Sequence, residues 1–563
     1  MNQYATITAP ELTMADVLRA VDRDPDLSAT RRRDLRSDVA AVARWLDRAP
    51  ASLKADAASI RALVDGLHHV QIGVSEKRLR NAISNVGAAI KLAAAAPSPK
   101  GRTPYRTPAW KALLASCGKD WERYRLAGLA TYCSERGIDE ADVDDAVIQS
   151  YRDHLDRQDL RKNPDKACKM TVQTWNRLID QGTAPYLQRL TPSRSDKNWS
   201  IPLSEFPETF QADLEQWLAR LAKVDLLADD GPPKPLRPQS IDNIRVQVRH
   251  AASALVLSGV SKDAIRALSF LTDRENFKTI LRFFIDRNAG AVPTWLHGIA
   301  SKLVAIARYH VKLPAEELEA LVAIKARVKV SRHGLTEKNK LRLGQFEDPR
   351  NVELLMLLPG AVVQRVQSRS EPSRWDGLDV MYALAVEILL SVPMRRSNLA
   401  ELDAERHFVW RGHGAGRHAA LMIPGSDVKN GVAIEGDLSA DTSRLLRLYM
   451  NNYRHLVSDD PGNWLFPKAS GGGHRASSSL ATQVSQFIRR EIGLKVNAHL
   501  FRHLSGMLYL MRHPGHYETV RQMLGHKSVD TTISFYTSTE SKWALKLYDK
   551  NVLQDWRRQN GAS

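Results

Sequence analysis

Apolar residues recur every three to four positions through most of the first 310 residues, which is the spacing of amphipathic helices. The pattern is present at 31–50, 75–96, 121–137, 142–158, 240–259 and 293–310. Turn-rich stretches at 96–108 and 229–240 interrupt it, and the second contains Pro232-Pro233, which cannot lie inside a helix. The N-terminal half is therefore predicted to be mainly α-helical.

The second half has a different pattern. An apolar helix at 379–392 ends at Pro393, and three short strand-like segments follow at 407–410, 419–424 and 431–436. Asn430-Gly431 stands between two apolar runs, which is a strong signal for a two-residue hairpin. Helical patterns then continue to the end of the chain. This half is predicted to be an α+β domain with a small antiparallel sheet among helices.

At roughly 100–200 residues per domain, a chain of 563 residues indicates three or four domains. We predict a helical N-terminal, arm-like module at 1–98, a second helical module at 103–228, a core-binding-like helical module at 235–335, and a catalytic domain at 345–563. Seven basic residues and one acid lie between Lys325 and Arg342. Such a run is either a solvated surface or a connector that contacts DNA.

The formal net charge of +18 favours a polyanionic partner, either nucleic acid or an anionic membrane, although a generally basic proteome would give the same excess. No apolar run reaches the length of a membrane span, and the first residues lack the basic start and apolar core of a secretory signal. Nucleic acid is therefore the expected partner and a membrane is not. Three cysteines without metal-ligand spacing are consistent with a reducing cytoplasm, where we expect the protein to act.

The segment 499–511 is predicted to form a helix with ionisable side chains on one face. His499, Arg502, His503 and Gly506 fall within a sector of about 100°, opposite the apolar residues. The arginine fork matches phosphate oxygens, histidine can move a proton near neutral pH, and Gly506 leaves room for another group. A zinc site is the alternative because His499 and His503 are four residues apart, but Arg502 between them would repel a dication. A solvated face without function is the other alternative.

Two further segments place cations where an anion could bind. Arg395 and Arg396 follow directly on the buried helix, and charges at such a position need a partner, either a phosphate or a carboxylate such as Glu401. Lys429 stands just before the predicted hairpin turn, where it is either ordinary soluble surface or a mobile proton donor.

Near the C-terminus, Leu524-Gly525-His526 precedes a short polar stretch and then Phe535-Tyr536. A tyrosine close to a histidine is weak evidence alone, because most tyrosines are packing residues with a polar tip. Its significance depends on the other segments.

Together these motifs resemble the signature of the tyrosine recombinase, or phage integrase, family over roughly residues 345–545. The order along the chain is Arg395, Lys429, His499-x-x-Arg502-His503, Leu524-Gly525-His526 and Tyr536, with Leu465-Phe466-Pro467 between the predicted hairpin and the HxxR helix. The N-terminal half is similar to the family only in being helical.

The resemblance has departures. Pro393-Met394 precede the first arginine where a Gly-Leu pair is usual, and Asn398 stands where a glutamate is frequent. Tyr536 lies ten residues after His526, where nine is common. These differences are interpreted as those of a subgroup.

The resemblance implies a role for each of these residues. Arg395 and Arg502 would bind the non-bridging oxygens of the scissile phosphate, and Tyr536 would attack it to form a 3′-phosphotyrosine link. His499 would help accept the tyrosine proton, His526 would hydrogen-bond the phosphate, and Lys429 would protonate the leaving 5′-hydroxyl. No metal and no nucleotide cofactor are expected, since the link conserves the bond energy.

The implied function is site-specific recombination of double-stranded DNA, for integration, excision or transposition of a mobile element. The implied partners are further copies of the chain, in a tetramer on paired sites at the nucleoid, and other recombinases or accessory DNA-bending proteins. The tail at 541–558 carries an apolar stripe that would pack on a neighbouring subunit or on its own domain. The alternatives are relaxation of DNA as by a type IB topoisomerase, and a non-catalytic DNA-binding protein on the same scaffold.

Overall fold

The computed structural model describes residues 12–94, 105–158, 163–191, 199–223, 235–330, 334–413, 417–559 and 561. The predicted boundaries at 98, 103 and 228 lie outside these residues, as does Arg332 of the basic run. The chain forms two compact units, of which the smaller is Pro192–Arg332 and the larger combines Met1–Thr191 with His333–Ser563. No helix in the described ranges is both long and apolar enough to cross a membrane.

The first part of the larger unit is helical. Polar side chains begin several of its helices: Ser28 accepts a hydrogen bond from the Arg31 amide, and Asp56 accepts one from the Ser59 amide. Two separate hydrophobic clusters form, one between Met14 and Ile90 and one between Trp110 and Leu190. The helices are α1 (Met14–Arg23), α2 (Ala29–Trp45), α3 (Ala57–Val64), α4 (Glu76–Ala94), α5 (Pro108–Ser116), α6 (Asp120–Ser134), α7 (Asp145–Gln158) and α8 (Pro164–Asp180).

The smaller unit is also helical and has a hydrophobic cluster of its own, between Phe206 and Val328. Its helices are α9 (Glu208–Ala222), α10 (Pro238–Leu257), α11 (Leu268–Thr272), α12 (Arg274–Arg287), α13 (Leu296–Ile306) and α14 (Ala315–Arg327). Helix α9, which the prediction assigns to the preceding module, packs in this cluster. The division into four modules stays a prediction.

The remainder of the larger unit combines helices with one sheet, which confirms the predicted fold class. Three strands, β1 (Phe408–Arg411), β2 (His418–Ile423) and β3 (Ile434–Asp437), pair antiparallel in the order β1-β2-β3. The helices are α15 (Glu337–Gly344), α16 (Pro349–Gln367), α17 (Arg374–Ser391), α18 (Arg396–Ala400), α19 (Ala440–Leu448), α20 (Arg454–Val457), α21 (Ser477–Ile492), α22 (Ala498–Arg512), α23 (Tyr517–Leu524), α24 (Val529–Tyr548) and α25 (Asp555–Gln559).

The predicted buried helix is α17, whose residues from Val380 to Leu389 are almost all inaccessible to solvent. It ends at Ser391, two residues before Pro393, since a proline disfavours helical backbone in the residue before it. The chain therefore leaves the core just before Arg395.

The prediction of a two-residue hairpin at Asn430-Gly431 is wrong, although a turn does lie there. Strands β2 and β3 pair through Ile423 and Ile434, so the connection spans residues 424–433. Pro424 cannot donate a ladder hydrogen bond, and a short 3₁₀ helix follows it. The Gly431 amide donates to the Val428 carbonyl at 3.0 Å, with Gly431 at φ +76°. The turn is thus the tip of a longer loop.

Candidate active site

Helix α22 confirms the helix predicted at 499–511. Asn497 caps it, because its side chain accepts a hydrogen bond from the Leu500 amide at 2.9 Å. The predicted polar face is mostly covered: Arg502 and His503 are only 4% and 5% exposed, and His499 alone is open to solvent. Periodicity alone could not show this, since the segments that cover the face are distant in sequence.

Arg502 joins two of those covering segments. Its Nη1 donates to the Pro393 carbonyl at 2.8 Å, and its Nη2 donates to the Leu524 carbonyl. Burial, followed by repulsion from Arg395, lowers the pKa of Arg502 to about 10. The guanidinium is therefore still charged at neutral pH.

Arg395 lies beside Arg502 in a cavity of about 230 Å³, which Asn430 and Gly525 also line. Its Nη1 donates to Asn430 Oδ1 at 3.0 Å. Within the described ranges no carboxylate stands within 4.0 Å of the Arg395 guanidinium, so Glu401 is not its partner. Two guanidiniums thus face one cavity. Glu435 and Asp437 of β3 also line it but, among the described residues, neither forms an ion pair with Arg395 or Arg502, so both guanidiniums can still attract an anion.

Lys429 is exposed on the turn between β2 and β3, next to Asn430. It is not among the residues that line the cavity. It directly precedes Asn430, whose side chain does line the cavity.

His526 directly follows the turn that ends α23. Its Nδ1 is 2.9 Å from the Thr532 hydroxyl, a buried group on α24. When that hydroxyl donates, Nε2 keeps the ring proton and can donate it to a phosphate oxygen. Burial, followed by repulsion from Arg502, lowers the pKa of His526 to about 4, so the ring is neutral at pH 7.

Tyr536 is fully buried on α24. Its hydroxyl is 3.4 Å from both the Arg502 and the His503 carbonyl, so it faces the backbone of α22 and is not among the groups lining the cavity. Burial raises the pKa of Tyr536 above that of a free phenol, although attraction by Arg502 opposes the shift. Residues 395, 502 and 525 share one cavity, and Tyr536 does not line it.

Gly506 supplies the space that Tyr536 occupies, as its position on the helix predicted. A Cβ there would stand 2.2 Å from the tyrosine hydroxyl, 2.6 Å from Cζ and 3.1 Å from Val520 Cγ1. We expect Gly506→Ala to destabilise this unit by about 1–3 kcal/mol, because the ring must shift. Denaturant unfolding followed by circular dichroism measures this.

The matched control is Gly360→Ala, since Gly360 also lies within a helix but has nothing within 4 Å of the added methyl. That change should be neutral or stabilising by up to about 1 kcal/mol. Equal stabilities for the two variants would contradict the close packing of Tyr536 on Gly506.

A second, larger cleft begins at His499 and is strongly basic. It has a volume of about 580 Å³ and is lined by Arg342, Arg396, Arg489 and Lys495, among others. None of these four cations has a carboxylate partner among the described residues. The His499 ring is open to solvent on one side and packs against His503 on another. This partial burial, followed by repulsion from Arg502 and Arg395, lowers the pKa of His499, so its ring is neutral and can accept a proton.

No group of three or more His, Cys, Asp or Glu side chains in the described ranges could hold a metal ion. In particular, His499 and His503 have their rings in an edge-to-face contact, with centroids 5.1 Å apart.

Two residues of the site were not identified from the sequence. Asn430 was interpreted only as a turn residue, and Thr532 was not singled out. The sequence offered one signal for each: Asn430 stands next to Lys429, and Thr532 lies one helical turn before Tyr536. Neither signal reveals the partner, since Asn430 contacts residues 35 and 95 positions away.

Comparison with known proteins gives one family match. Residues 360–542 match the model of the phage integrase family. A search of curated proteins finds no match.

Several solved structures share parts of the fold at low similarity. A lambda integrase dimer bound to a COC′ core site is 15% identical, covering 67% of this chain and 87% of that one, with a TM-score of 0.33. XerH recombinase bound to difH is 14% identical, covering 59% and 94%, with a TM-score of 0.30. Tn1549 transposon integrase with circular intermediate DNA is 11% identical, covering 59% and 98%, with a TM-score of 0.31.

The match of residues 360–542 covers Arg395, Lys429, His526 and Tyr536 as well as helix α22. Residues 360–542 of this protein are thus similar to the phage integrase family, that of the tyrosine recombinases.

Proposed function

We propose that this protein is a site-specific DNA recombinase of the integrase type, which cuts and rejoins strands through a covalent 3′-phosphotyrosine at Tyr536. The observation that carries the proposal is the convergence of Arg395 and Arg502 on one small cavity, with the turn before His526 at its edge. Residues more than 100 positions apart meet there, and the group that best fits two adjacent guanidiniums is a phosphate.

In this mechanism the protein acts chiefly by stabilising charge. The two guanidiniums bind the non-bridging oxygens, on which negative charge grows in the transition state. His526 donates a hydrogen bond to the same phosphate through Nε2. Lys429 protonates the 5′-oxygen as it leaves, and this requires the exposed turn to approach the DNA.

Tyr536 must move before it can react. Its hydroxyl lies against two backbone carbonyls and does not line the cavity, and its buried phenol holds its proton tightly. A shift of the start of α24 would bring the oxygen to the phosphorus and towards His499, which is neutral and able to accept the proton. We propose that DNA binding favours this shift, because the phosphate stabilises only the moved arrangement.

The alternatives are separable by experiment. Adducts between Tyr536 and 3′ DNA ends on a nicked suicide substrate would support cleavage, and their absence would favour a non-catalytic DNA-binding protein. Robust relaxation of supercoiled DNA that lacks a cognate site would favour a type IB topoisomerase. We further propose that the reaction serves a mobile element, in the cytoplasm at the nucleoid, with accessory proteins or other recombinases as partners.

The basic cleft beside His499 is proposed to hold the DNA backbone next to the scissile phosphate. Arg342→Gln should weaken binding to all DNA sequences alike and reduce the slope of log affinity against log salt by about 1, because one phosphate contact is lost. Fluorescence anisotropy at several salt concentrations measures both effects.

Arg374→Gln is the control for that experiment. Arg374 begins α17, is exposed and is not among the residues that line the cleft. If the two variants bind DNA with the same salt slope, the cleft does not contact the backbone.

Self-assembly is proposed from the C-terminal helices. Leu545, Tyr548 and Val552 are 48–70% exposed and follow one another at intervals of three and four residues. These three side chains are open to solvent among the described residues, and their spacing places them near one side of the C-terminal helices. We propose that a second copy covers them when protomers assemble as a tetramer on paired DNA sites.

A further inference from the structure

The side-chain amide of Asn430 connects two distant parts of the site. Its Oδ1 accepts from Arg395 Nη1 at 3.0 Å, and its Nδ2 donates to the Gly525 carbonyl at 2.6 Å. The amide can be oriented only one way, because a guanidinium only donates and a carbonyl only accepts. Both ends of the amide are therefore used.

This connection runs beside the one that Arg502 makes. Arg502 joins the carbonyl of Pro393 to that of Leu524, and Asn430 joins Arg395 to the carbonyl of Gly525. Two adjacent bridges thus hold the segment at 393–395 against the turn that precedes His526. Removing the Asn430 bridge would leave Arg395 without a side-chain hydrogen-bond partner among the described residues.

The chemistry of the bridging group matters for a residue that must bind phosphate. A carboxylate in place of the amide would neutralise the Arg395 charge and repel a phosphate in the cavity. A neutral amide fixes the direction of the guanidinium while leaving its charge available to an anion. The turn carrying Lys429 is anchored by the same side chain, since Lys429 is the preceding residue.

We propose that Asn430 is a positioning residue that aligns Arg395 and the Lys429 turn with His526 around the scissile phosphate. The proposal rests on the proposed function, since it assumes that Arg395 and Lys429 act on a phosphate. Asn430 itself exchanges no proton and contacts no reacting atom.

The test measures single-turnover cleavage of a nicked suicide substrate by the full-length chain and by Asn430→Ala and Asn430→Asp. Misplacing a catalytic group by about 1 Å can cost 10²-fold, so Asn430→Ala should slow cleavage by about that factor with DNA affinity unchanged. Asn430→Asp keeps the size and one oxygen but adds a charge, and it should be at least as slow.

A second substrate separates positioning of Arg395 from an effect on Lys429 alone. A bridging sulfur at the 5′ position leaves without a proton donor, because a thiol is far more acidic than an alcohol. This substrate should restore cleavage by Lys429→Ala but leave Asn430→Asp slow. Full restoration of Asn430→Asp would overturn the inference.

The controls distinguish the possible failures. Asn452→Asp makes the same chemical change at an exposed asparagine of the same domain, and it should cleave at the wild-type rate. Wild-type rates for both Asn430 variants, with adducts formed normally, would refute the positioning role alone. If the unmodified chain forms no adduct, the proposed function fails instead.

Discussion

Tyr536→Phe is expected to abolish covalent protein–DNA adducts while leaving DNA binding intact. Phenylalanine has no oxygen to attack phosphorus, so cleavage should fall by at least about 10³-fold. The ring still fills its buried position against Gly506, and the hydroxyl makes only two long contacts of 3.4 Å, so stability should change little. Denaturing gels of the protein with a radiolabelled suicide substrate measure the adduct.

Two further variants test whether the nucleophile must stand at position 536 of the helix. Tyr124→Phe removes a tyrosine that is 81% exposed on α6, outside the catalytic domain, and should cleave normally. Exchanging the residues at 535 and 536 moves the phenol to nine residues after His526. Adducts that persist in Tyr536→Phe would refute the nucleophile, and adducts restored by the exchange would assign it to the other register.

Arg502→Lys is expected to slow cleavage by about 10²-fold or more, although the charge is retained. A single ammonium cannot reach two carbonyls and a phosphate oxygen at once, as the planar fork does. One of the carbonyls of Pro393 and Leu524 would lose its donor, which should also cost about 1–3 kcal/mol of stability. Single-turnover cleavage and denaturant unfolding measure the two effects separately.

Arg454→Lys is the matched control, because Arg454 also bridges carbonyls, those of Trp464, Asp460 and Gly462, but does not line the cavity. Arg454→Lys should lower the free energy of unfolding but leave the rate of DNA cleavage unchanged. If Arg502→Lys and Arg454→Lys reduce cleavage equally once both are fully folded, the guanidinium of Arg502 has no special role in the chemistry.

The spacing of apolar residues predicted the helices and strands of this protein correctly where that spacing is regular. The helix at 498–512, the apolar helix ending before Pro393 and the three strands follow from periodicity and from the chemistry of proline. The β2–β3 connection was predicted wrongly, because the Asn-Gly signal is the same in a two-residue hairpin and at the tip of a longer loop. The four-module division stays a prediction.

The sequence by itself determined which chemical groups are available: two arginines, three histidines, a lysine and a tyrosine in a family-specific order, and a glycine where close packing was needed. The tertiary structure decided which of them meet. It buried Arg502 between two carbonyls, joined Arg395 to the turn before His526 through Asn430, and placed the Tyr536 hydroxyl against the backbone of α22. Periodicity reports only the local environment of a helix or strand, whereas these contacts depend on segments 22–109 residues apart.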